Sequence, residues 1–475
     1  MGSDAGGTAR VSRDIDLAEV LDRQALGRPL LTIIVLCTLV TLSDGYNISA
    51  AGFAAPGIVK DLGLSRASLG PLFSSSLLAG LVGPSLFGAL AGRIGRRRTI
   101  LMATVLFGVF GLLCAACHSL IPLVTCRFFA GVGMSGALAA TVANISEFAP
   151  RRLRATFVTI IFSGTTFGSG AIGLVAPYLI THFDWQGIFV FGGGVTLLSA
   201  ALVYWLLPES PKFLCLREAR HAELASLLRR LDPRFVFPAG THFVQNDEVN
   251  PSRVTYRPFF AGPLLLLTPL LWLGSFVGQV VFHSFNNWLP TLLTDSGLPY
   301  AHAATAVVLF QFAGTLGGWV IMRPLDRYGM LPCAVLYLLS IPVVASLGLP
   351  GNSETMLMVL CALAGFCVLG LHFAQVFCVS SIYPTAIRAL GVGFFMLAAR
   401  AGGSLGPYLV GVLSGRHVPV GRMFVLGTIP LGIGAVAAIA ITVIYRTHFH
   451  MKSQSPASVP MSPTGFEPEG PQTRS

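Results

Sequence analysis

The chain has 475 residues, of which 53% are hydrophobic and only 11% charged, and its mean hydropathy is +0.73. Soluble domains carry about 25% charged residues, so this composition excludes an ordinary soluble fold and points to a polytopic membrane protein. The net charge of +11 raises the question of nucleic acid, but no aromatic-interleaved soluble domain carries it, and that class of partner is set aside.

Residues 1–28 are polar, lack a signal-peptide pattern, and read as an N-terminal cytoplasmic tail with a short amphipathic piece at 15–22. Apolar spans follow at 29–56, 69–91, 99–118, 121–146, 157–181 and 187–207. Residues 208–257 form the longest polar stretch. They contain Pro233, Pro238 and Pro251 and read as a cytoplasmic linker with a short helix near 217–231. Six more spans lie at 258–290, 302–323, 331–350, 354–380, 389–414 and 421–445. Residues 447–475 read as a disordered cytoplasmic tail. The expected fold is an all-α membrane protein, with twelve transmembrane helices in two six-helix bundles (29–207 and 258–446).

Twelve spans place both termini on one side. With the N-terminus inside, about 25 Lys and Arg fall in cytoplasmic segments and about four outside, which is the positive-inside distribution. The external four are Lys60, Arg66, Arg416 and Arg422; Arg127 and Arg400 lie within spans. Arg127 reads either as an anchor reaching for the interface or as a cavity cation. Eight of the nine cysteines lie in or at spans and read as small buried hydrophobes. No spacing suits a metal site, and no phosphate-binding or nucleophile motif appears, so the chain is expected not to be an enzyme or an ATP-driven pump.

The halves repeat. Arg93, Gly95, Gly131, Gly136, Pro150 and Arg154 recur as Arg327, Gly329, Gly365, Gly370, Pro384 and Arg388. The interval is 234 positions each time (327 minus 93, 388 minus 154). Six coincidences at one offset, on matching span ends, mark an internal 6+6 repeat.

Asp44 stands near the middle of the first apolar segment, where an Asp costs about 2.5–3.5 kcal/mol on insertion scales. It lies about fifteen residues into span one, roughly 22 Å from the inner end at 1.5 Å per residue. Arg400 lies about twelve residues beyond Arg388, about 18 Å from the inner face. Each half thus carries one charge near mid-depth. Either the two pair, or Arg400 takes a substrate carboxylate.

The loop Gly88-Ala-Leu-Ala-Gly-Arg-Ile-Gly-Arg-Arg-Arg98 and its counterpart Asp326-Arg-Tyr-Gly329 resemble the inner-loop motif of the major facilitator superfamily. Within it, Asp44-Gly-Tyr-Asn47, Asn287-Trp-Leu-Pro-Thr-Leu-Leu293, Tyr383-Pro-Thr-Ala-Ile-Arg388 and Arg400-Ala-Gly-Gly-Ser-Leu-Gly-Pro407 are similar to the aromatic acid–proton symporters. The resemblance implies import of a benzoate- or hydroxybenzoate-like acid across a bacterial inner membrane by alternating access. The proton is the coupling ion, with no other cofactor, and the protein is expected to be monomeric. Two positions depart from the pattern: Asn47 replaces the second acid of the span-one motif, and Gly92 replaces the Asp of the inner-loop motif.

On this reading Arg400 binds the carboxylate as a planar fork, and Asp44 carries the proton. Tyr46, Asn47, Gln279, His283, Asn286, Gln311, His372 and Gln375 complete the substrate site. Glu147 is expected to pair with Arg151, Arg154 or the loop 96–98. Arg93, Arg96, Glu147, Arg154, Asp326, Arg327 and Arg388 form the gate. The alternatives are an uncoupled facilitator, which Asn47 favours, and a non-transporting ligand receptor of the same fold.

Overall fold

The structure, a computed structural model, describes residues 14–238, 241–245 and 257–454. A short strand β1 (Asp14–Asp16) and helix α1 (Leu17–Arg23) precede the first long helix, α2 (Arg28–Asp61). Span two is interrupted: α3 (Leu69–Leu78) passes through a 3-10 turn at Ala79–Leu81 into α4 (Gly83–Ile94). α5 (Arg96–Ala115) and α6 (Leu120–Phe148) are spans three and four. α7 (Arg154–Leu206) holds spans five and six, divided at Asp184, where φ is 52° and ψ is −166°. With ψ there, the residue lies outside the left-handed helical well, in a region that residues with a Cβ rarely enter.

The linker folds into α8 (Pro211–Cys215), α9 (His221–Leu231) and β2 (His242–Val244). The second half comprises α10 (Leu264–Asp295), α11 (Tyr300–Tyr328), α12 (Leu331–Leu347), α13 (Glu354–Ile382), α14 (Thr385–Gly415), α15 (Val420–Leu426) and α16 (Thr428–Gln454). α16 continues past residue 446 because no Gly or Pro interrupts the chain there.

Nine helical stretches among the described residues are long and apolar enough to cross a membrane. One of them, 151–206, is the pair divided at Asp184, while the 17-residue α12 and the longer α14 stand outside those nine. Counted in this way, the helices accommodate twelve spans.

The repeat is visible in the packing. A Cβ added at Gly131 would stand 2.5 Å from the Ser76 carbonyl oxygen, and one at Gly365 would stand 2.0 Å from that of Phe310. Gly168 meets Leu42 in the same way (2.0 Å), and Gly402 meets Phe276 (2.1 Å). Each second-half residue follows its counterpart by the 234 positions read from sequence. The glycines are there because two helix backbones touch, as small residues allow in membrane bundles.

At one face, which carries the linker, the N-terminal segment is tied to the first half. β1 pairs with β2 in parallel, Asp14 opposite His242. α1 buries Leu17, Val20 and Leu21. The Gln24 amide donates to the Phe148 carbonyl at 2.5 Å, and the Ala25 N–H donates to Asp232 at 3.0 Å. The Arg234 guanidinium beside Asp232, 2.6 Å away, holds that carboxyl well below the usual range.

At the far face the halves meet each other. Tyr300 donates to the Phe53 carbonyl at 2.9 Å, Ser74 donates to that of Ser404 at 2.6 Å, and Arg66 forms an ion pair with Asp295. The central cleft is therefore closed on the side away from the linker.

Candidate functional site

α2 carries Asp44 into the interface between the halves, and it is 3% exposed. The Thr165 hydroxyl of α7 lies beside the carboxylate without forming an aligned hydrogen bond, so Thr165 Oγ1 and both Asp44 oxygens are unpartnered. From the other half α14 contributes Arg400, half-buried. Its guanidinium stretches across to the 3-10 turn of span two, where a Cβ added at Gly80 would meet Arg400 Nη1 at 3.2 Å. Asp44 and Arg400 act on each other electrostatically. Arg400 donates no hydrogen bond among the described residues, and its guanidinium lies against the Gly80 turn at the meeting of the halves.

α10 lines the cleft with Gln279, His283 and Asn286, which recur at helical spacing on one face. Gln279 hydrogen-bonds the His372 ring of α13, which stacks on Phe282 with centroids 5.9 Å apart. His283 packs against Gly403 and leaves Nδ1 unpartnered. Arg400 acts electrostatically on both imidazoles. Asn286 Oδ1 accepts from Gln311 of α11 at 2.9 Å and from Ser49 of α2 at 3.2 Å, so this amide joins the two halves.

The structure thus brings Asp44, Arg400, Gln279, His283, His372, Asn286 and Gln311 together. It engages the other three residues elsewhere. The Tyr46 hydroxyl donates to the Ile188 carbonyl at 3.1 Å, and the Asn47 amide donates to the Ser43 carbonyl at 3.1 Å, both inside the first half. Gln375 donates to the Tyr337 hydroxyl at 2.8 Å, inside the second half. Arg127 is an interior cation, 2% exposed, donating to the Asn47 carbonyl and to Ser76 Oγ, both at 3.2 Å. Ser49 and Gly80 were not singled out from sequence, because a serine or glycine in an apolar span carries no signal of its own; Thr165 is one of the polar residues that span five carries (with Ser163, Thr166 and Ser169).

On the linker face, Arg96 is the cation that takes Glu147, donating from Nε at 3.0 Å and Nη2 at 2.7 Å. Ser210 donates to the other Glu147 oxygen. Glu209 sits at the N-terminus of α5, accepting from the Arg96 N–H at 2.7 Å and the Arg97 N–H at 3.1 Å, where a helix end favours an anion. Gly95 has φ of +99°, and a Cβ there would press 2.3 Å from Glu209 Oε2, so this turn requires glycine. Glu209 and Ser210 carry no charge-in-membrane signal, and only the Pro208-Glu-Ser-Pro211 turn that follows span six marks them in the sequence. Arg151 pairs with Asp22, and Arg154 is exposed beside it. Arg93 is exposed, and its carbonyl accepts from Arg217 at 2.8 Å. Arg327 lies over the Tyr328 ring, and Arg388 Nε donates to the Tyr383 carbonyl at 3.2 Å. The Asp326 side chain lies outside the described residues.

Gly92 is exposed, and a Cβ there would meet nothing within 4 Å. The Arg96–Glu147–Ser210 cluster is held without an acid at position 92. Gly92→Asp is therefore expected to fold normally, with stability within about 0.5 kcal/mol of the parent. Thermal unfolding of the detergent-solubilised protein tests this; a loss of several degrees would contradict it.

Two helical bundles that share one internal repeat and close on a mid-depth cleft, with one charge supplied by each bundle, define a membrane carrier of the two-bundle type. The chain belongs to the Major Facilitator Superfamily, whose family model matches residues 37–407. It is 32% identical to the gallate transporter of Pseudomonas putida, over 95% of this chain and 99% of that protein. It is 31% identical to the 4-hydroxybenzoate transporter PcaK of the same organism, over 90% and 96%. Its fold is similar to that of a bacterial homolog of the human lysosomal transporter Spinster, in an inward-facing and unoccupied conformation (TM-score 0.68, 17% identity, 90% of this chain and 99% of that one). It is also similar to the xylose transporter XylE from E. coli (TM-score 0.66, 16% identity, 89% and 98%).

Proposed function

We propose that this protein imports an aromatic or related organic acid, benzoate- or hydroxybenzoate-like, across a bacterial inner membrane by proton symport. The observation that carries the reading is the Asp44–Arg400 arrangement. An acid without a hydrogen-bond partner and a guanidinium without an acceptor face one cleft from opposite halves. Arg400 offers a fork that matches a carboxylate, and Asp44 offers a site that takes or releases a proton as the anion arrives or leaves. The relatives that transport gallate and 4-hydroxybenzoate support the ring-acid class.

Both termini and the linker face the cytoplasm on this reading, following the Lys and Arg distribution. The structure is then closed to the outside. Substrate leaves past Arg96 and Glu147 when the halves part on the inner side.

The test is uptake of labelled 4-hydroxybenzoate and benzoate into proteoliposomes, with and without an inward proton gradient. Accumulation above equilibrium only with the gradient is the expected result. Equilibration indifferent to the gradient would replace symport with facilitated diffusion. Asn47 favours that second reading, because its amide cannot take a proton and is bonded to Ser43 and Thr196.

A further inference from the structure

Asn286 and Gln311 are 1% and 2% exposed, and they leave one donor and one acceptor unmet, Asn286 Nδ2 and Gln311 Oε1. Turning both amides over exchanges the two roles but still leaves one of each. Buried polar atoms without partners cost about 1–3 kcal/mol each, so such a pair is a poor structural element unless a partner reaches it in another state of the carrier. A single group that both donates and accepts is a hydroxyl.

The position of the pair relative to Arg400 sets the shape of that partner. α10 and α14 run in the same direction, and His283 packs against Gly403. Arg400 precedes Gly403 by three residues, and Asn286 follows His283 by three. At 1.5 Å per residue that side-chain contact puts the two positions about 9 Å apart along the helices, and the backbone contacts of Gly402 on Phe276 and Gly406 on Val280 about 18 Å. A benzene ring with a polar group at either end is of that order of length once the side chains at both positions are counted. Phe282, stacked on His372, lies on the same helix between Gln279 and His283.

We infer that the Asn286–Gln311 pair is the specificity end of the cleft. It reads a hydroxyl placed on the ring opposite the carboxylate that Arg400 holds. The inference rests on the transport reading above and adds the residues that choose among ring acids. The amide that reads the hydroxyl is also tied to the other half, since Asn286 Oδ1 accepts from Ser49.

The experiment uses the full-length protein in proteoliposomes. Initial uptake of labelled 4-hydroxybenzoate is measured against unlabelled competitors. The 4-hydroxy acid is expected to compete at least about tenfold better than benzoate, 4-methoxybenzoate or 2-hydroxybenzoate, one lost hydrogen bond being worth about that factor. The methoxy compound accepts but cannot donate, and the 2-hydroxy compound places its hydroxyl at the wrong end. Gln311→Met is expected to bring the ratio of competition constants towards one. If ring acids are taken up but all four compete equally, or the Gln311→Met ratio stays at the parent value, the inference is overturned and the transport reading stands. If no ring acid is taken up, both fall. Should the variant fail to fold, the competitor series on the unaltered protein decides the question alone.

Discussion

Arg400→Lys is expected to reduce uptake of ring acids by about 10–100-fold at limiting substrate, a charge-assisted bidentate bond being worth about 1.5–3 kcal/mol. The guanidinium crosses from the second half to the Gly80 turn of the first, and its N–H groups find no acceptor among the described residues. The fork is thus open to a planar anion. Lysine keeps the charge, and with it the attraction for the anion and for Asp44. It loses the two parallel donors and the reach across to span two. The loss is therefore expected in half-saturation more than in maximal rate, with the protein present in the membrane at parental amounts. Initial rates across a substrate series, with quantification of the protein in the membrane, separate these effects. Parental uptake by the variant would show that Arg400 is a structural anchor.

Asp44 and Arg400 were legible in the sequence for one physical reason: a charge in an apolar run has few innocent explanations. The repeat was legible because it is written in glycines, prolines and arginines at helix ends, and the matched contacts of Gly131 and Gly365 show what the glycines are for. Helix rotation was not legible. Asn47 follows Asp44 by three residues, which at 3.6 residues per turn rotates it about 60° away. The same step keeps Asn286 on the face of His283, so spacing alone did not tell that the Asn47 amide goes to Ser43 and Thr196 inside the first half. Gln375 follows His372 by the same step and finds Tyr337. Partners contributed by a distant element were equally hidden. Ser49, Ser210 and the strand at 242–244 become meaningful only once α10, α6 and β1 lie beside them. Three-residue strands are too short to show an alternating pattern.

Asp44→Asn is expected to abolish accumulation driven by the proton gradient while sparing exchange of labelled for unlabelled substrate. Asparagine keeps the shape of the side chain but removes the group that titrates. Net uphill import requires a proton to enter with each anion and leave inside, so it stops. Exchange across the membrane carries the anion both ways and needs no net proton movement, so it continues. The sign of the change in affinity also follows. Asp44 is a negative charge acting on Arg400, and it opposes a second negative charge arriving there. The neutral variant leaves the field of Arg400 to the substrate alone, so half-saturation in exchange is expected to fall several-fold. A protonated Asp44 in the parent does the same, and this is how proton binding would favour anion binding in a symporter. Two results count against that coupling. Gradient-driven accumulation that survives in the variant would remove Asp44 as the proton carrier. Loss of exchange together with accumulation would make Asp44 a structural partner of Arg400 rather than its switch.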